Sequence, residues 1–237
     1  MQDRFTGDIG DYVKFGLLRT LGHDRRLGVA WYLHPDEGGT GNGQHTAYLD
    51  RPDEWRRCDP ELFDGLKEIV SAGPRSTGRI ERAGLLPGAR FAGEPLQSAI
   101  GPHAERGLWR RAWFRRASAR LADCDIVFAD PDNGLCADEK FRPAQRRDWK
   151  RMPLIEARGL SDGRPAIFYH HNSRFPGGHR LEIEHWMERL PGCAHALYWR
   201  RYSNRTFFIV NLPAALQTPL EDFAASWSHG CELVRRA

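Results

Sequence analysis

Three apolar runs constrain this chain more than any other feature: "GVAWYL" (28–33), "DIVFAD" (125–130) and "PAIFYHH" (165–171). Each is too short for a helix and lacks polar–apolar alternation, the pattern of a strand buried on both faces. Such strands belong to parallel sheets with helices on either side, joined by long crossovers. The intervening segments suit that role. Residues 11–21, "DYVKFGLLRTL", place Val13, Leu17, Leu18 and Leu21 near helical spacing. In "DPELFDGLKEIV" (59–70), Asp59 suits an N-cap and Pro60 the first helical position. Further helices are expected at about 104–122, 145–158, 180–190 and 219–229, and two short strands over 79–92 around "LLPGA". "AHALYWRRYSNRTFFIVNLP" (194–213) reads as a hairpin turning near Ser203 and Asn204. The expected fold is α/β: a doubly wound, mostly parallel, Rossmann-like sheet with a C-terminal antiparallel hairpin at its edge, residues 1–237 forming a single domain.

Hydrophobic residues at 41%, with 8 Trp and 12 Phe, supply the core this fold needs. No apolar run approaches the roughly 20 residues that span a bilayer. The N-terminal "MQDRFTGDIGDYVKF" is polar and carries acids, unlike a secretory signal. A cytoplasmic protein without membrane association is expected. The five cysteines, at 58, 124, 136, 193 and 231, form no C-x-x-C pair, which favours free thiols over a disulfide framework or zinc ribbon.

In parallel α/β sheets ligands collect beyond the carboxyl ends of the strands. The loops there are "HPDEGGTGNGQH" (34–45), "PDNG" after Asp130 and "HNSR" (171–174), the polar, turn-rich segments of the sequence. The first packs four glycines, which let backbone N–H groups approach a ligand; it is neither G-x-G-x-x-G nor a P-loop, and reads equally as a surface loop. In "DPDNGL", Pro131 forces the chain out of the strand behind Asp130, while Asp132-Asn133-Gly134 would form a turn in any protein. In "GDIGDYVKF" (7–15), Asp11 and Lys14 share a helix face, as an i,i+3 ion pair or as a ligand clamp. Of the adjacent His170 and His171, one is expected to point into a helix layer and act structurally.

The net charge is +4, and 31 of the 35 basic residues are arginine, the exceptions being Lys14, Lys67, Lys140 and Lys150. Six arginines crowd "ERGLWRRAWFRRASAR" (105–120), interleaved with Trp109, Trp113 and Phe114. One reading is a crossover helix with its aromatics on the sheet and a solvated basic face. The other is an RNA- or DNA-binding surface formed by the 106–120 helix.

Taken in order, the N-terminal G-D-x-G-D-x-x-K-F segment, the strand with its Gly-rich loop and the strand ending in Asp-Pro resemble one family. It is the ribosomal-RNA adenine-N6 methyltransferases of the large-subunit J type, which have the class I S-adenosylmethionine-dependent fold. The family's opening motif G-N-x-A-D-x-x-K-H falls on Gly7, Asp8, Gly10, Asp11, Lys14 and Phe15. Its cofactor loop falls on residues 32–41, and its D-P-P-Y motif on Asp130, Pro131, Asp132 and Asn133. The resemblance implies S-adenosylmethionine as cofactor, admitted by Gly7, Gly38, Gly39 and Gly41 and held by Asp11 and Lys14. It implies that Asp130 orients the acceptor and that no metal is required. On the neighbouring loop His171 is expected to join Asp130 and Asn133 as a catalytic residue, and Asn172 and Arg174 to bind substrate with Asp132. Two departures stand out. His34 replaces the family's acid at the end of the first strand, and Asp132-Asn133 removes the ring that would stack on a target base.

Two other function classes fit the residues. Asp130, Asp132, His170 and His171 could form a metal-dependent phosphodiesterase or other hydrolase. The 106–120 arginines could serve a non-catalytic nucleic-acid-binding module.

Overall fold

The computed structural model describes residues 1–36, 45–96 and 102–236. Among them the central sheet has seven strands: β1 (Leu27–Trp31), β2 (Arg90–Ala92), β3 (Ile126–Asp130), β6 (Ala166–His171), β7 (Cys193–Trp199), β8 (Arg205–Val210) and β9 (Cys231–Arg235). Their order is β2-β1-β3-β6-β8-β7-β9. The first four run parallel, and β8, β7 and β9 pair antiparallel in succession. A separate short parallel pair joins β4 (Leu135–Cys136) to β5 (Met152–Pro153). The architecture is α/β with a largely parallel central sheet, consistent with a Rossmann-like fold.

The unbroken apolar runs have a simple cause: alternate residues go to different helix layers. Val29, Trp31, Ile126, Phe128 and Ile167 pack into one core with α1 (Ile9–Leu21), α3 (Pro60–Ser71) and α8 (Gln217–Ser226). Ala30, Val127, Ala129, Ala166 and Phe168 pack into the other with α5 (His103–Arg120), α6 (Leu154–Ser161) and α7 (Gly178–Arg189). Asp130 shares the parity of Ile126 and Phe128, so it ends β3 on the α1 side.

Helix starts follow local chemistry. Asp59 caps α3 by accepting from Leu62 N–H at 3.0 Å, with Pro60 at the first turn. Asp8 caps α1, accepting from Asp11 N–H at 3.0 Å. Three expectations need correction. Residues 79–92 do not form two strands: a short α2 (Pro52–Trp55) precedes α3, and α4 (Thr77–Ala83) closes at Gly84 before β2. The region 145–158 does not form one helix, because Pro153 cannot donate and the chain enters β5 before α6 begins. The chain does not end in a helix: β9 follows α8 and takes the sheet edge, leaving β8 between β6 and β7.

No helix among the described residues is long and apolar enough to cross a membrane. All five cysteines are free.

Candidate active site

A cleft of about 240 Å³ opens at the carboxyl ends of β3 and β6, against the N-terminus of α1. It lies beyond the carboxyl ends of parallel strands, where ligands bind in open α/β sheets, beside the β1–β3 boundary at which the chain order reverses. Asp11, Lys14, Asp130, Asp132, Asn133 and His171 all line it.

At its floor Lys14 Nζ lies between two carboxylates, 2.6 Å from Asp11 Oδ1 and 2.7 Å from Asp130 Oδ2, all three groups buried. Burial works against the Lys14 charge, yet Asp11 and Asp130 together hold its pKa above the usual lysine value. Burial pushes Asp11 up to about 6, against the pull of Lys14. Asp11 Oδ2 also accepts from Gly7 N–H at 2.9 Å, which fixes the turn into the helix. The i,i+3 pair expected from the sequence is therefore two-thirds of a tertiary triad.

Asp132 stands on the next turn. It accepts from Gln2 Nε2 at 2.6 Å and lies 3.3 Å from Lys150 Nζ and 4.0 Å from the Met1 amine. Burial raises its pKa, but the amine, Gln2 and Lys150 bring the net below the usual value. The Met1 amine itself donates to the carbonyls of Tyr32 (3.0 Å) and Asp130 (2.9 Å), tying β1 to β3.

The histidine pair divides between the layers as strand parity requires. His170 Nδ1 accepts from Leu135 N–H at 2.9 Å, so Nε2 carries the hydrogen that faces Glu182 Oε1 at 3.2 Å. Gly134 makes this contact possible: a β-carbon there would lie 2.4 Å from His170 Nδ1. His171 faces the cleft, 3.5 Å from the Tyr169 hydroxyl. Desolvation first, then the charges of Arg205 and His170, lower its pKa.

Other expected residues fall elsewhere. Asn172 is buried, donating to Glu182 at 3.1 Å and accepting from Thr206 at 2.8 Å; it anchors the loop and does not line the cleft. Arg174 is exposed and does not line the cleft, and Gly7 lies beneath the lining, against Val70. Gly38, Gly39 and Gly41 lie outside the described residues. Asp130, Asp132, His170 and His171 do not converge as a metal site, since both ring nitrogens of His170 are engaged inside the α7 layer. Among the described residues no group of three or more His, Cys, Asp or Glu could hold a metal ion.

Of the 106–120 arginines, Arg110 leaves the surface and two others have partners within the protein. Arg110 is fully buried, donating to Glu156 at 2.7 and 2.8 Å, with Tyr32 completing the cluster at 2.9 Å. Arg116 pairs with Glu94 at 2.6 Å and Arg120 donates to the Phe91 carbonyl at 2.6 Å. Arg111 and Arg115 are exposed, as are Arg116 and Arg120 despite their partners.

Sequence reasoning missed Arg205, Tyr169, Lys150 and the Met1–Phe5 segment, which also line the cleft. Arg205 left a signal: it is the one charged residue in the strand "RTFFIV". No protein-family model matches this chain, and no curated protein matches it in sequence.

Proposed function

We propose that the protein is a class I methyltransferase-like enzyme that uses S-adenosylmethionine, its acceptor lying against Asp130. The observation that carries this reading is the position of the cleft: beyond the carboxyl ends of the parallel strands β3 and β6, with Asp130 as the last residue of β3 and Lys14 of α1 bound to it. The antiparallel β8 between β6 and β7 adds support, because the family that the sequence resembles ends in an antiparallel hairpin.

The donor set suits the charged end of the cofactor. Asp11 and Lys14 offer a buried carboxylate and ammonium at one wall, and the neighbouring end of β1 leads into the Gly-rich loop. When bound, the sulfonium supplies an activated methyl group, so the protein's task is mainly to position the acceptor. Asp130 is held rigidly for that task by Pro131 and by Lys14. A donor group of the acceptor that displaces Lys14 from Asp130 Oδ2 would leave Lys14 paired with Asp11. His171, held toward its uncharged form, stands ready to take the acceptor's proton. Asn133 carries no ring, so this cleft grips its acceptor by hydrogen bonds and charge rather than by stacking on that position.

Calorimetric titration with S-adenosylmethionine and S-adenosylhomocysteine tests the reading. Saturable heat that Lys14→Ala abolishes is expected; absence of both heat and thermal shift at millimolar ligand would overturn it.

A further inference from the structure

Strand β8 opens with a residue that the rest of the strand does not explain. Thr206 to Val210 are core, and Arg205 is buried with them at 6% exposure. Its guanidinium crosses the N-terminus of α1 over Gly10, where a β-carbon would stand 1.0 Å from Nη1. Only glycine leaves room for the arginine there.

The partners of this guanidinium do not satisfy it. Nη2 donates to Ser203 Oγ, Nη1 stands 3.7 Å from Asp8 Oδ1, beyond hydrogen-bond distance, and Nε has no partner. Asp8 balances the charge as an ion pair but gives it no hydrogen bond, while the same Oδ1 caps Asp11 N–H. An arginine carries five N–H donors, and a buried one is costly unless acceptors meet them. Its place at the positive end of a helix adds to that cost. What is missing is an acceptor with two oxygens, and Arg205 lines the cleft where one would enter. The cleft leaves room for an anion, because Lys14, Lys150, Arg4, Arg205 and the Met1 amine face the carboxylates of Asp8, Asp11, Asp130 and Asp132 in its lining.

We propose that Arg205 seats an oxyanion, a phosphate or carboxylate, belonging to the methyl acceptor. The side of the cleft decides between acceptor and cofactor. Arg205 stands directly opposite His171 across β6 and β8, with β6 and β3 between it and the end of β1. The Tyr202 backbone at φ 66, an uncommon conformation for a bulky residue, shapes the turn that delivers Ser203 to the same guanidinium.

This seat extends the proposed methyltransferase reading, but its test uses inorganic phosphate alone, so a failed cofactor titration and a failed phosphate titration are separate results. Melting temperature of the full chain is followed against sodium phosphate, with sodium acetate in parallel and sodium chloride at matched ionic strength. A saturable upward shift with one of the oxyanions, absent with chloride, is expected. Arg205→Gln should raise the half-saturating concentration about tenfold or more, Arg205→Lys less, and the remote Arg26→Gln not at all. Should Arg205→Gln not fold, Arg205→Lys decides the matter. A shift that does not saturate, or one that Arg205 variants keep unchanged, overturns the proposal. S-adenosylhomocysteine added at saturation should leave the oxyanion response in place; if it abolishes the response, the seat belongs to the cofactor and the acceptor assignment falls.

Discussion

At the scale of single residues, the proposed reading turns on which carboxylate would do the chemistry. Asp130, which ends β3, and Asp132, in the turn after it, are two positions apart, yet their surroundings separate them. Asp130 is gripped by Lys14 on the α1 side, whereas Asp132 is held by Gln2, Lys150 and the amine. Asp130→Asn leaves Lys14 paired with Asp11, so the fold should survive while turnover falls about a hundredfold or more, the scale for a positioned acid or base. Asp132→Asn should cost much less turnover. Steady-state kinetics of the two variants, with circular dichroism as the folding control, check this; equal losses would favour a chemistry in which both carboxylates take part. The sequence marked both acids, and Lys14 with Asp11, as candidates. It could not pair Lys14 with Asp130, because that contact spans 116 positions and depends on where α1 lies against β3.

At the scale of elements, α5 shows how composition misleads. Its six arginines suggest a phosphate-tracking face, but the helix must also close over the sheet, and Arg110 falls on the closing side. It meets Glu156 of α6, whose carboxyl burial pushes up even against the pull of Arg110, and lies over the Trp113 ring at 4.6 Å. Arg110→Ala would strand the Glu156 carboxylate inside the protein, at a cost of about 3–5 kcal/mol, measurable by denaturant unfolding. Arg111→Ala with Arg115→Ala should change stability by no more than about 0.5 kcal/mol. That exposed pair is also the right probe of nucleic-acid binding: each lost phosphate contact should lower the log–log salt slope by about one unit. The α6 region was misread for a related reason. Local apolar spacing runs through Pro153, but the ring ends the register, and β5 forms because β4 is there to receive it.

At the scale of the whole molecule, the loop after β6 is held by one buried carboxylate. Glu182 of α7 receives Asn172 Nδ2 at 3.1 Å, Ser173 N–H at 3.0 Å, Ser173 Oγ at 2.6 Å and His170 Nε2 at 3.2 Å. Burial alone would raise its pKa, but these donors, His170 foremost, hold it down at about 2. A depressed carboxyl stabilises the fold fully above its ordinary value near 4.5, and that stability is lost as pH falls from there toward 2. The contribution is on the order of 3 kcal/mol at neutral pH. Asp11 acts in the opposite sense between its ordinary value and about 6, so the informative quantity is a difference between proteins. The unfolding free energy of wild type minus Glu182→Gln should be large at pH 7 and shrink steadily below pH 4.5; a pH-independent difference would refute the assignment. By itself the sequence determined that strands buried on both faces alternate with helices, where α1, α3 and β3 begin or end, and that Asp130 closes a strand at a ligand-collecting edge. Those features are set by local backbone preference and by the contrast between apolar and polar residues, which act over a few positions. Only the tertiary structure decided that β9 takes the sheet edge, that Arg110 is core, that Asn172 is an anchor and that Arg205 reaches α1. Each of these depends on which surfaces meet across the sheet, and a charged side chain's role is fixed by the partner it finds there.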